Sequence, residues 1–176
     1  MRTLIGLIRG INVGGKTLPM ANLRAICERI RLKDAQTYIQ SGNIFFESGK
    51  SNSDIERALE NGIEKDFGYT VTAMVREPEL FEHLIDSNPF EGRDPKFLSV
   101  TILGQSPKAE LVATLDSVDH GEDEFRVEKD AIYIYCPGGY GNTRLTNNFI
   151  ESKLQTRATT RNWRTFNKLL EIAKKR

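Results

Sequence analysis

The strongest constraint on this chain is a hydrophobic pattern that alternates between strand and helix periodicity in the same order twice. Thr3 to Arg9 is a continuous apolar, β-branched run punctuated by Gly10, which predicts a buried strand. Met20, Leu23, Ile26, Cys27 and Ile30 then recur at helical spacing. Ala35 to Gln40 and Ile44 to Glu47 read as strands around a tight turn at Ser41-Gly42-Asn43. Ser53 and Asp54 are placed to cap a helix whose buried stripe is Ile55, Leu59, Ile63 and Phe67. Thr70 to Val75 is a further strand. The order is β-α-β-β-α-β, the split βαβ or ferredoxin-like arrangement.

A short helix follows, with Leu80, Phe81, Leu84 and Ile85 on one face, and Asn88 to Pro95 reads as a linker. The pattern then restarts. Phe97 to Leu103 predicts a strand, Pro107 to Leu115 a helix, and Phe125 to Val127 with Ala131 to Tyr135 a hairpin. Leu145 to Leu154 and the stripe Trp163, Phe166, Leu169, Leu170 and Ala173 predict two more helices. The expected fold is therefore α+β, two ferredoxin-like subdomains of which the second ends in a helix. The expected boundaries are 1–78 for the first, 79–95 for the helix and linker, and 96–176 for the second.

Composition excludes other classes. With 39% hydrophobic and 28% charged residues over 176 positions, the chain is neither disordered nor fibrous. No window approaches 18 apolar residues, so no membrane partner is expected. The apolar stretch before Arg9 is too short for a signal peptide. Two cysteines, Cys27 and Cys136, make no disulfide framework, and a cytoplasmic location is expected. His83 and His120 have no ligand-spaced partners, so neither a metal nor a cofactor is expected. The net charge is only +1, yet residues 1–33 hold seven Lys/Arg against Glu28, and residues 153–176 hold eight against Glu171. Basic ends around an acidic middle fit either an anion-seeking face or solvated helix faces of differing sign.

Gly10-Ile-Asn-Val-Gly-Gly-Lys-Thr17 satisfies the phosphate-loop pattern G-x-x-x-x-G-K-[ST] after a strand. A true phosphate loop starts its helix at the Lys, and Pro19 would fall in the first helical turns there. Helical periodicity starts only at Met20, and no later strand supplies the magnesium-binding Asp. Nucleotide hydrolysis is not the expected function.

Arg9-Gly-Ile-Asn-Val-Gly-Gly15, Pro19-Met20, Tyr38-Ile-Gln-Ser-Gly-Asn43 and Thr159-Thr-Arg-Asn-Trp163 occur in that order. With these motifs the chain resembles the bacterial domain-of-unknown-function family 1697. The resemblance implies two ferredoxin-like subdomains and brings no activity, cofactor or catalytic residue.

Topology places the Arg9–Lys16 loop and the Ser41–Asn43 turn on one sheet edge, because strands one and two of a split βαβ run parallel. The equivalent rule puts Thr156 to Trp163 on the corresponding edge of the second half, with the Pro137–Arg144 loop opposite Trp163. If the halves pack pseudo-symmetrically, these motifs line one cleft. The candidate anion-binding residues are Arg9, Asn12, Gly14, Gly15, Lys16, Ser41, Asn43, Thr160, Arg161 and Asn162. Gly14 and Gly15 free backbone amides for an anion, the arginines offer bidentate forks, the asparagines orient, and Thr160 would cap the last helix. Three readings stand: a small phosphorylated or carboxylated ligand, a nucleic acid, or a protein partner with no small ligand. Whether a bond is made or broken, and the oligomeric state, are left open.

Overall fold

The computed structural model describes all 176 residues, and the chain divides into two units. One comprises Met1–Glu82 with Leu169–Arg176, the other His83–Lys168.

In the first unit the apolar run forms β1 (Arg2–Arg9), followed by α1 (Met20–Arg29), β2 (Lys33–Tyr38), β3 (Asn43–Ser48), α2 (Asn52–Phe67) and β4 (Thr72–Arg76). The sheet order is β2-β3-β1-β4, with every neighbouring pair antiparallel. Strand periodicity sends Leu4, Ile8, Ile44, Phe46, Ala73 and Val75 to one face. There they meet Leu23, Ile26 and Cys27 of α1 and Ile55, Leu59 and Ile63 of α2, all buried. The start of α2 is capped by Ser51, whose hydroxyl accepts from the Asp54 amide at 3.2 Å, rather than by Ser53 or Asp54.

The second unit repeats this plan with β5 (Leu98–Leu103), α4 (Ala109–Val112), β6 (Glu124–Glu128), β7 (Ala131–Tyr135), α5 (Asn147–Leu154) and β8 (Ala158–Asn162), in sheet order β6-β7-β5-β8. A helix follows the last strand of each repeat: α3 (Pro78–Asp86) after β4 and α6 (Trp163–Lys174) after β8. The α+β fold with two ferredoxin-like halves and a terminal helix is as expected. The second half does not, however, lack its last strand. β8 is Ala-Thr-Thr-Arg-Asn, too polar to show strand alternation, yet it pairs with β5 from Leu103↔Ala158 to Ser99↔Asn162.

That strand moves two expected features. Only its start lies at the edge beside Leu103, and each further residue advances about 3.3 Å away, so Arg161 and Asn162 lie near the opposite edge. Tyr135 pairs with Leu98 and Asn162 with Ser99, so the Pro137–Arg144 loop and Trp163 share an edge rather than opposing one another.

Each repeat satisfies outward amides of one edge strand, β4 or β8, with helix carboxylates. The Glu60 and Glu56 carboxylates, one turn apart on α2, accept the amides of Ala73 at 2.9 Å and Val75 at 2.8 Å. Glu151 of α5 accepts the Ala158 amide at 3.0 Å. A carboxylate on an unpaired edge amide blocks strand addition by another chain. Glu56 is also buried and paired with Arg76 at 3.0 Å. Glu56→Ala leaves a guanidinium and an amide short of an acceptor, so it should cost about 3 kcal/mol in urea denaturation. Glu60→Ala, removing a half-exposed acceptor, should cost about 1 kcal/mol.

Candidate functional site

The edge of the first sheet where β1 ends carries the loop from Gly10 to Pro19 and the turn from Ile39 to Gly42. Lys16 does not start a helix. Pro19 takes the N-cap position in extended conformation and α1 begins at Met20, so the loop lacks the helix N-terminus a phosphate loop needs. Its tip is a tight turn instead. Gly14 and Gly15 have φ of 57° and 83°, and the Lys16 amide donates to the Val13 carbonyl at 3.2 Å. Two consecutive positive φ angles at the central residues are the signature of a type I′ turn, which glycine adopts without strain. A Cβ on either glycine would meet open space.

Asn12 holds this tip in place. It is in the left-handed region at φ 55° and its amide donates to the Lys16 carbonyl at 2.6 Å. Its side chain behaves as a spare peptide group. Oδ1 accepts the Leu18 amide at 2.8 Å, while Nδ2 donates to the Leu18 carbonyl at 3.0 Å and the Gln40 carbonyl at 2.7 Å. Both side-chain N–H groups and one acceptor position of Oδ1 are thereby committed. Asn12 is thus an organiser of the loop.

Asn43 likewise bonds inward. It is fully buried at the start of β3, and Nδ2 donates to the Tyr38 carbonyl at 3.1 Å and to the Ser41 hydroxyl at 2.9 Å. The left-handed residues of this turn are Ile39, at φ 50°, and Gly42, at φ 79°. Gly42 is required twice over. Its carbonyl accepts the Ile8 amide at 2.8 Å, and a Cβ would lie 2.9 Å from the Ile8 carbonyl oxygen and 2.8 Å from Ile11 Cδ1. Ile39 is the anomaly, since a β-branched residue in this region costs about 1–2 kcal/mol.

Arg9, Asn12, Gly14, Gly15, Lys16, Ser41 and Asn43 lie along one edge of the first unit. The Lys16 ammonium reaches the Thr70 carbonyl at 3.4 Å, in the connection that also arrives there from α2. Arg9 ends β1, pairs in register with Thr72 and is half-buried.

Thr160, Arg161 and Asn162 belong to the second unit and sit in β8, each with its own local role. Thr160 shares a 2.7 Å hydrogen bond with Thr101 across the sheet and donates to Asn147 Oδ1 at 2.7 Å, so it is not the helix cap. The cap is Asn162, which accepts the Thr165 amide at 2.8 Å. Arg161 is buried, at 9% exposure, with its guanidinium donating to the Thr159 hydroxyl at 3.0 Å and the Thr160 carbonyl at 2.9 Å. Burial pushes that guanidinium down to about 10. Trp163 is half-buried and stacked on Phe166, with ring centroids 6.2 Å apart.

Cys27 and Cys136 are buried free thiols, pushed by desolvation up to about 12 and about 11. No group of three His, Cys, Asp or Glu residues is placed to hold a metal ion, and no helix is long and apolar enough to cross a membrane.

Fold and edge geometry define a duplicated ferredoxin-like α+β protein with an exposed glycine-tipped loop on its first half. The chain belongs to the family described as "Protein of unknown function (DUF1697)", whose model matches residues 1–133. Its architecture is similar to that of a conserved bacterial protein, SP0830 from Streptococcus pneumoniae, at 24% identity over 99% of both chains with a TM-score of 0.79. That likeness is one of fold. No curated protein matches the sequence.

Two substitutions separate the organising contacts from the open tip. Asn12→Asp sets carboxylate oxygens against two carbonyl acceptors and should lower stability by about 2–3 kcal/mol, with loss of hydrogen-exchange protection at the Leu18 amide. Gly42→Ala combines a strained φ with a clash against backbone and should cost about 3 kcal/mol, whereas Gly14→Ala meets only the φ penalty of about 1 kcal/mol. Chemical denaturation of the three variants checks the order.

Proposed function

We propose that this protein binds a small phosphorylated or carboxylated anion at the Gly10–Pro19 loop of its first unit. One observation carries the reading. The backbone N–H groups of Val13, Gly14 and Gly15 are three in a row on an exposed tip, and none has a partner within the protein. Oriented backbone amides of this kind suit oxyanions. Lys16 stands next to them as an exposed cation with no carboxylate partner. Its position lets a compact charge complement the amides without itself demanding a fixed geometry.

The second unit sharpens the contrast. There the first two residues after β5 are bonded to the approach to β8, with the Gly104 amide on the Arg157 carbonyl at 2.8 Å and the Gln105 amide on the Thr156 hydroxyl at 3.2 Å. Two buried free thiols fit a reducing compartment, so the cytoplasm is the proposed location.

Phosphate should therefore raise the melting temperature more than chloride at matched ionic strength, by a stabilisation of about 2.7 kcal/mol at a hundredfold excess over Kd. Sulfate and phosphate also stabilise proteins by exclusion, so the variants decide. Asp and Asn both tolerate the left-handed region, and a side chain at Gly15 meets open space. Gly15→Asp should keep the fold and abolish the anion-specific increment, while Gly15→Asn should retain it. Equal increments in the wild type and both variants would overturn the reading.

A further inference from the structure

The tip that offers amides also offers apolar surface. Apart from Met1, the large hydrophobic residues most exposed on the protein are Val13, at 63%, and Ile39, at 48%. They lie on different segments, and the Nδ2 bond from Asn12 to the Gln40 carbonyl brings those segments together, each exposed residue lying next to one end of that bond. Val13 is also the first residue of the tight turn whose amides face solvent.

Ile39 makes the pairing informative. A branched side chain is the least suited of all to a left-handed backbone, and Asn or Gly would relax it at once. Burial does not account for the isoleucine, because its side chain is half in water. An exposed, strained, apolar residue is a poor choice for stability, and strain of this kind gathers where a ligand is met.

We infer that the anion taken at the Val13–Lys16 turn carries an apolar body, and that Val13 and Ile39 contact that body. The ligand class is a small phosphate monoester or carboxylate with a short aliphatic or similarly apolar substituent. This rests on the anion reading above and adds what it lacks, a reason for the ligand to prefer one anion over another. Donors on the turn hold the charged end, and the two side chains remove a few methylenes from water, each worth several-fold in affinity.

The test uses the full chain and three probes in calorimetric titration: inorganic phosphate, 3-methylbutyl phosphate and 3-methylbutanol. The wild type should bind the ester about tenfold more tightly than inorganic phosphate, in line with the burial of a few methylenes, and should not bind the alcohol. Ile39→Asn should cut that preference to about threefold or less, the loss of one apolar contact, while leaving the phosphate affinity unchanged. The same substitution should raise the melting temperature by relieving the backbone, a readout independent of any ligand that also verifies folding.

Equal affinity of the wild type for phosphate and its ester would overturn this inference and leave the anion site standing. Binding of neither would overturn the anion site and this inference with it. The same chemistry occurs on a lipid headgroup, so vesicles of phosphatidylcholine with phosphatidic acid form a fourth arm. Co-sedimentation with those vesicles, without binding of the soluble ester, would also overturn a small-molecule ligand.

Discussion

The carboxamide of Asn12 is the interaction on which the open edge of the first unit depends. β1 ends at Arg9 and α1 cannot start before Met20, so the intervening loop must be held by something other than regular structure. A carboxamide has the donors and acceptor of a peptide group. At Asn12 it pairs with both backbone groups of Leu18, as a neighbouring strand would, and has one N–H left for Gln40. The position also demands a positive φ, which Asn tolerates better than other residues with a side-chain amide. Glutamine carries the same group one methylene further out. Asparagine alone meets both requirements.

Fixing the base of the loop has a consequence at its tip. With Asn12, Lys16 and Leu18 bonded, the turn closes over two glycines and its remaining amides are directed out of the protein's own hydrogen-bond network. The duplication gives an internal comparison. Both halves cap their edge-strand amides with helix carboxylates, Glu56 and Glu60 in one and Glu151 in the other. These contacts satisfy outward amides of β4 and β8. In the second half the first two residues of the loop after β5 are also stitched to the approach to β8. The Val13–Gly15 amides have no such partner.

Most of the architecture was legible because burial writes a period into the sequence. β1, β3, α1 and α2 each show theirs over several turns or pleats, and the rejection of a phosphate loop followed from Pro19, the helical period that starts only at Met20 and the missing strand-end Asp. β8 was illegible because its pairing partner, not its own composition, makes it a strand. Thr160 faces Thr101 and Asn147, while Thr159 and Arg161 share the other face, where Arg161 occupies a buried position that hydrophobic patterning reserves for an apolar residue. The role of Asn12 was hidden for a different reason. Residue type showed that it could bond a ligand, but only the fold shows that Leu18 and Gln40 have already taken both of its side-chain N–H groups. Ile39 was invisible too, since nothing in Tyr-Ile-Gln-Ser-Gly-Asn says which residue turns left-handed.

The basic ends of the chain illustrate how charge bias and function part company. Arg2 pairs with Glu77, Arg29 with Asp66 at 2.9 Å, Lys174 with Glu82 and Lys175 with Glu171 at 2.5 Å, while Arg176 donates to the Asp34 carbonyl at 2.6 Å. Exposed pairs of this type contribute about 0–1 kcal/mol each, so they say little about stability. They say more about the field. A cation neutralised within 3 Å projects little potential beyond a Debye length, so these pairs reduce the part of the Lys and Arg excess that can act on an anion. Arg161 is withdrawn from solvent altogether. At the edge of the first sheet Lys16 is exposed, next to three amides and without a carboxylate. The electrostatic case for an anion therefore comes from one loop, and it would stand even if the rest of the chain carried no excess charge.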